Sequence, residues 1–243
     1  MFNYQAGSED IEDIAAQQVN GINYLLVGNI GSHAQTGAKR RLYLIKEPLA
    51  DQSTARLVNL IAPETRTVIE FSWPKADTTL DCEGVALCPN GEILIATKES
   101  YKSRIFVLRT KILTGDAANS LRLMKTVSGS RFHRVSGFDM SADGRSLLFV
   151  NSSSPRHVSE YTLPLGIDSF ASSSLSSWIL HDYTGMIAGA PQPEGVCFGA
   201  DGRYIYGTTE LGGNRGSSPS KGFIGGGQTP LYVAVRNTTQ PAP

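Results

Sequence analysis

The sequence predicts an all-β protein, a β-propeller of four-stranded antiparallel blades. Three observations carry this expectation: one strand–turn–strand signature recurs along the chain, its copies are spaced like blades, and helical periodicity is weak throughout. In the clearest copies, Glu83–Gly91 leads into Glu92–Lys98, Ser136–Gly144 into Arg145–Asn151, and Glu194–Gly202 into Arg203–Glu210. A looser copy runs from Glu12 through Asn20-Gly21 to Asn29. The turn glycines Gly21, Gly91, Gly144 and Gly202 stand 70, 53 and 58 residues apart. Asn-Gly and Asp-Gly suit tight turns because both residue types tolerate positive φ. A β-sandwich also has many short strands, but it would not repeat one signature at one place.

The remaining strands follow in order. Third strands are expected at 41–45, 104–108, 158–163 and 231–235, and fourth strands at 67–71, 121–125 and 178–181. The Ser-rich stretch 168–177 reads as a loop. The blades are expected at about 10–73, 81–128, 134–183 and 193–236, in one domain spanning 1–243. The last blade lacks an outer strand, and Phe2-Asn3-Tyr4-Gln5 is a candidate to fill the gap. Two arrangements fit: a small ring closed by the N-terminus, or a larger propeller that has lost a blade upstream and keeps an open edge.

Composition narrows the function. The 243 residues carry 22 basic and 22 acidic side chains, so the large basic field of a nucleic-acid binder is absent. The sequence has no run of about 18 apolar residues that would span a membrane. Met1–Gln5 lacks the pattern of a signal peptide, so the compartment stays open. Of the three cysteines, Cys88 and Cys197 fall in apolar strand patterns and read as small buried hydrophobes.

In a propeller the first strand of each blade lines the central channel. Aligning the turns puts Glu12, Glu83, Ser136 and Glu194 at one level. Three carboxylates in a narrow channel repel one another, and a hard cation would neutralise them. Ca²⁺ fits best, because it accepts six to eight oxygens in irregular geometry. Ser136 would add a hydroxyl or leave room for water. The structural alternative is that these glutamates bond backbone amides of neighbouring blades. A second ring, Asn29, Lys98, Asn151 and Glu210, is expected where the second strands end. There Lys98 would hold an anionic group, and Asn29 and Asn151 would contact substrate. His33, just beyond a strand end, is the best-placed of four histidines, and His181 falls in an outer strand. Gly212–Gly227 has seven glycines and reads as a lid or a surface insert. No Gly-x-Ser-x-Gly elbow and no Walker A pattern exists.

The order Glu12-Asp13-Ile14-Ala15, Val27-Gly28-Asn29-Ile30-Gly31, Leu42-Tyr43-Leu44-Ile45-Lys46-Glu47-Pro48 resembles the phytase-like ("esterase-like activity of phytase") β-propellers of bacteria. Asp81-Cys82-Glu83-Gly84 with Thr97-Lys98, and Pro193-Glu194-Gly195 with Thr209-Glu210, extend the resemblance over most of the chain. Asn29, Ser32 and His33 depart from acidic or amide residues that the family tends to carry. The resemblance implies a metal-dependent hydrolase of phosphoesters in a secreted or periplasmic protein. Glu83-Gly84-Val85 and Glu194-Gly195-Val196 also resemble gluconolactonase-type propellers, which implies a lactone substrate with Glu12, Asn29, Asn151 and Glu210 as ligands. The competing expectation is a non-catalytic propeller that binds a ligand or protein through its loops, 33–40 and 212–227 included.

Overall fold

The computed structural model describes residues 10–31, 40–47, 66–73, 80–115, 119–188, 192–209 and 231–236. The strands form four antiparallel sheets that follow one another in a ring, a four-bladed β-propeller. Blade 1 is β1 (Ile11–Val19), β2 (Ile22–Asn29), β3 (Arg40–Lys46) and β4 (Arg66–Phe71). Blade 2 is β5 (Cys82–Leu87), β6 (Ile93–Thr97), β7 (Lys102–Arg109) and β8 (Ser120–Ser128). Blade 3 is β9 (Val135–Met140), β10 (Ser146–Asn151), β11 (Val158–Thr162) and β12 (Ile179–Asp182). Blade 4 is β13 (Pro193–Phe198), β14 (Tyr204–Thr209) and β15 (Leu231–Val235), a three-stranded sheet among the described residues. Residues 2–5, His33, Glu210 and 212–227 lie outside the described residues, so those expectations stay where the sequence left them.

Period-2 alternation builds each blade as a two-faced sheet, and each face meets a neighbour. Ala15, Leu26 and Leu42 of blade 1 join Val85, Ile95 and Phe106 of blade 2 in one cluster. Ala86, Leu94 and Val107 of blade 2 join Phe138, Phe149 and Tyr161 of blade 3 in a second. Leu148 and Val150 of blade 3 join Val196 and Ile205 of blade 4 in a third. The middle cluster is the most aromatic: Phe138 and Phe149 pack at 4.7 Å between ring centroids, and Phe132 meets Phe149 edge-on at 5.2 Å. Full burial of each ring contributes roughly 1.5–3 kcal/mol.

The inner strands β5, β9 and β13 approach closely because glycine faces two of the seams near the strand head. A Cβ on Gly84 would stand 2.6 Å from the Phe138 Cβ, and one on Gly137 would stand 2.8 Å from the Glu194 carbonyl oxygen. In blade 1 the position belongs to Asp13, whose carboxylate accepts the Val85 backbone N–H at 2.9 Å. Asp139 does the same from blade 3, accepting from Phe198 N at 2.8 Å.

Two expectations are corrected. Only Asn20-Gly21 forms the two-residue hairpin, with φ of 51° and 78° and Val19 paired to Ile22. The other three turns are wider loops with only the glycine at positive φ, and β1 and β2 run further than their counterparts. Cys88 is buried as expected, but Cys197 is exposed, because its face of blade 4 meets no covering sheet among the described residues. The stretch 168–177 is a loop containing short 3-10 turns.

Gly137→Ala forces a methyl into the β13 backbone, so it is expected to lower stability by about 1–3 kcal/mol in urea unfolding. Gly185→Ala, where a Cβ meets nothing within 4 Å, is the silent control.

Candidate functional site

Every inner strand breaks register at the same place. Between Ile11 and Asp13, Cys82 and Gly84, Val135 and Gly137, and Pro193 and Gly195, one residue has no partner on the second strand. The four skipped residues are Glu12, Glu83, Ser136 and Glu194. A bulge re-aims its extra side chain out of the ladder, so the four positions aligned from the sequence are structurally equivalent, each at the head of an inner strand.

Two of the glutamates are tied together electrostatically. Burial, the nearby Glu83 charge and a hydrogen bond with Asp10 raise the Glu12 carboxyl to about 8. Asp10 and Glu12 fold over Gly31, where any Cβ would collide with both carboxylates. Burial likewise raises Glu83 to about 7, against the pull of Lys98. Lys98 Nζ is ion-paired to Glu83 Oε1, with both side chains about one-tenth exposed. Glu83 also feels Asp81 and Glu194. Glu194 accepts from Gln192 Nε2 at 2.6 Å, and Ser136 Oγ donates to the Pro193 carbonyl at 2.8 Å. Glu12, Glu83 and Lys98 therefore stand together, Glu194 stands within electrostatic reach, and Ser136 ties blade 3 to blade 4.

The second ring is out of step by one residue at Lys98. Asn29, Thr97, Asn151 and Thr209 are the equivalent set, each paired with the residue before the bulge. Lys98 lies one position further, where its backbone N–H bonds the Asp81 carbonyl as Ile30 bonds Asp10 and Ser152 bonds Arg134. Asn29 and Asn151 are buried and brace the backbone. Asn29 Oδ1 accepts from Asp10 N at 2.8 Å, while the Asn151 amide donates to the carbonyls of Ser153 and Pro155 and accepts from His157 N. His181 lies in the outer strand β12, as expected.

Sequence reasoning missed Asp10 and Asp81 as members of the acidic group. The signal was there: Asp10-x-Glu12, Asp81-x-Glu83 and Gln192-x-Glu194 repeat at one blade position. Among the described residues, no group of three or more His, Cys, Asp or Glu side chains is arranged to hold a metal ion. In this arrangement Glu83 is engaged by Lys98 and Glu194 by Gln192. What it can do is exchange protons: burial raises two neighbouring carboxyls toward neutral pH, and one of them stands beside an ammonium.

No family model matches the chain, and no curated protein matches it, so the phytase-like resemblance gains no support from either comparison. Among solved structures, the Pseudomonas aeruginosa periplasmic gluconolactonase PpgL is 14% identical with a TM-score of 0.44, over 93% of this chain and 59% of that one. Sqt1 from Chaetomium thermophilum is 12% identical with a TM-score of 0.43, over 84% of this chain and 42% of that one. An acylaminoacyl peptidase is 10% identical with a TM-score of 0.37, over 83% of this chain and 28% of that one. This chain therefore spans less than two thirds of each. The fold rests on the strand pairing above, not on these scores.

Glu12, Glu83 and Asp139 (raised by burial to about 7) keep protons in the folded chain that the unfolded chain releases near pH 4. Folding then binds protons between about pH 4 and 8, and these groups lose their contribution as pH rises through that window. The urea midpoint is expected to fall from pH 5 to pH 8. Asp139→Asn, which keeps an acceptor for Phe198 N, is expected to flatten the slope.

Proposed function

We propose that this chain is a hydrolase of small uncharged lactones or esters, acting where Glu12, Glu83 and Lys98 meet. One observation carries the reading: two buried glutamates within electrostatic reach of each other are both raised toward neutral pH, and the Lys98 ammonium is ion-paired to one of them, Glu83. In hydrolysis, the Glu83 carboxylate takes a proton from water as its oxygen attacks the carbonyl carbon. The Lys98 ammonium stands by the oxyanion that forms. The carbon–oxygen bond to the alkoxide then breaks, and Glu12 gives the alkoxide its proton. Solvent returns the proton from Glu83 to Glu12, so one water is consumed and one hydroxy acid, or an acid and an alcohol, leaves.

Charge favours this class over the phosphoester that the phytase-like resemblance implies. Asp10, Glu12, Asp81 and Glu83 crowd one place, and a phosphate dianion would meet them as like charge. A neutral lactone meets no such barrier, and its carboxylate product is repelled on formation.

The Ca²⁺ expected from the sequence is the second reading, favoured by the proton that Glu12 shares with Asp10. A cation there would have to displace that proton and draw Glu83 from Lys98. No step above depends on it. Titration with Ca²⁺ supports this reading if the melting temperature rises and protons are released, and removes it if neither occurs.

Assay of the folded protein on neutral lactones and aryl esters at pH 7–8 tests the main reading. Turnover is expected, with kcat about 10²–10⁴-fold lower in Glu83→Gln. No turnover by folded protein across the panel overturns it. In that case, a ligand that raises the melting temperature without reacting marks the chain as a binding propeller.

A further inference from the structure

We infer that the Tyr101 ring is a stacking platform beside the candidate site, and that the site takes neutral esters or lactones carrying a flat aromatic ring. The inference rests on the hydrolase reading and names the substrate class within it.

It starts from backbone strain. Among the described residues, the non-glycine residues with left-handed φ are Asn20, Tyr101 and Arg134. Asn20 sits in a hairpin turn that suits asparagine. A bulky residue in that region is an outlier, and it persists only where its surroundings hold it. Glu99 and Lys102 bridge, so Ser100 and Tyr101 are the two turn residues between β6 and β7. Tyr101, with φ of 55°, is the second of them, where glycine or asparagine is the usual choice.

The surroundings do hold it. The Tyr101 backbone N–H donates to His133 Nδ1 at 2.9 Å, and the Tyr101 carbonyl accepts from Gly129 N at 2.8 Å. Arg134, with φ of 57°, donates its backbone N–H to the Glu99 carbonyl at 2.8 Å and accepts from Ser152 N at 3.1 Å. The two strained residues therefore share one joint, where the β6–β7 turn meets the segment that enters blade 3. That joint lies at the site end of the ring. Glu99 follows Lys98, and Arg134 stands two residues before Ser136, the blade 3 counterpart of Glu83. Three residues of chain keep the Tyr101 Cα within about 11 Å of the Lys98 Cα.

What the joint holds up is a ring. Tyr101 stacks on the His133 imidazole with centroids 4.2 Å apart and planes 29° apart, yet Tyr101 is 62% exposed. The imidazole backs one face of the phenol ring and leaves the other open. His133 is itself fixed by the Tyr101 amide, so the pair is set before any ligand arrives. A preset aromatic face costs little ordering when it binds. A flat ring laid on it gains area and an offset stack, and the ester it carries extends toward Lys98.

Tyr101→Asn removes the ring and keeps a residue that tolerates left-handed φ, while Tyr101→Phe keeps the ring. With phenyl acetate, KM is expected to rise about 3–10-fold in Tyr101→Asn and to hold in Tyr101→Phe, with kcat little changed in both. With methyl acetate, which has no ring, all three proteins are expected to behave alike. Acetanilide, the amide counterpart of phenyl acetate, tests the platform without turnover. Its dissociation constant, read by NMR titration, is expected to be about 3–10-fold larger for Tyr101→Asn than for the unaltered chain. Ring-dependent binding of acetanilide without turnover of any ester keeps the platform and overturns the hydrolase reading alone. An unchanged KM for phenyl acetate in Tyr101→Asn, an equal rise for methyl acetate, or acetanilide binding that is absent or ignores the substitution overturns the platform. Should Tyr101→Asn fail to fold, the unaltered chain decides: acetanilide is expected to shift the His133 ring-proton signals, and no shift overturns the platform.

Discussion

A single unpaired residue at the head of each inner strand ties the fold to the candidate site. The bulge turns Glu12, Glu83, Ser136 and Glu194 out of the ladder. The next residue then falls on the seam, where Gly84 and Gly137 admit the neighbouring blade at distances no Cβ would allow. Moving the bulge by one residue would put a glutamate into the seam and a glycine at the site, since side chains alternate with period 2. Packing and chemistry are thus fixed by the same local irregularity. Blade 1 shows how narrow the tolerance is: it has Asp13 at the glycine position, and that carboxylate fits by accepting the Val85 amide.

Two sets of acids are buried for different ends. Asp13 and Asp139 face seams, and burial raises both, while backbone N–H donors pull the other way. Their hydrogen bonds link blade 1 to blade 2 and blade 3 to blade 4. Glu12 and Glu83 have no comparable backbone donors among their main influences; they have one another, Asp10, Asp81 and Lys98. The first set resolves desolvation with amide hydrogens, which hold one geometry. The second resolves it with a mobile proton and an ammonium, which can be exchanged. That difference is why the second set, not the first, is the candidate for chemistry.

The blades were legible because turn glycines recur and hydrophobic alternation is regular. Their inner-strand positions were legible for the same reason. The second ring was not, since the turn is a poor ruler for the far end of a hairpin. From the turn glycine to this position is eight residues in blade 1, six in blade 2 and seven in blades 3 and 4, and a one-residue slip swaps a buried position for its neighbour. Pairing register brings Thr97 level with Asn29 and puts Lys98 one step on. Cys197 shows a different limit. Its local pattern matches that of buried Cys88, but burial is decided by whether another sheet covers the face, and no local pattern records that. Asp10 and Asp81 were legible in principle, as the first members of a repeated pair with the site glutamates. They stand before the strand proper, where alternation gives no warning of orientation.

The charge around the strand heads is uneven, and this bears on how a guest would lie. Blades 1 and 2 bring two acids each, and blade 4 brings Glu194 with Gln192. Blade 3 brings Ser136 with Arg134, whose carbonyl accepts from Ser152 and whose φ of 57° is the left-handed region. The blade 3 side is therefore the least negative. Lys98 reaches toward Glu83 rather than toward blade 3, so it offsets the acids where they are densest. A neutral ester would be oriented by this gradient, with its electron-rich oxygens away from the Asp10–Glu12 pair unless a proton is offered there. Only a protonated Glu12 can receive such an oxygen, and burial beside Glu83 is what keeps that proton in place at neutral pH.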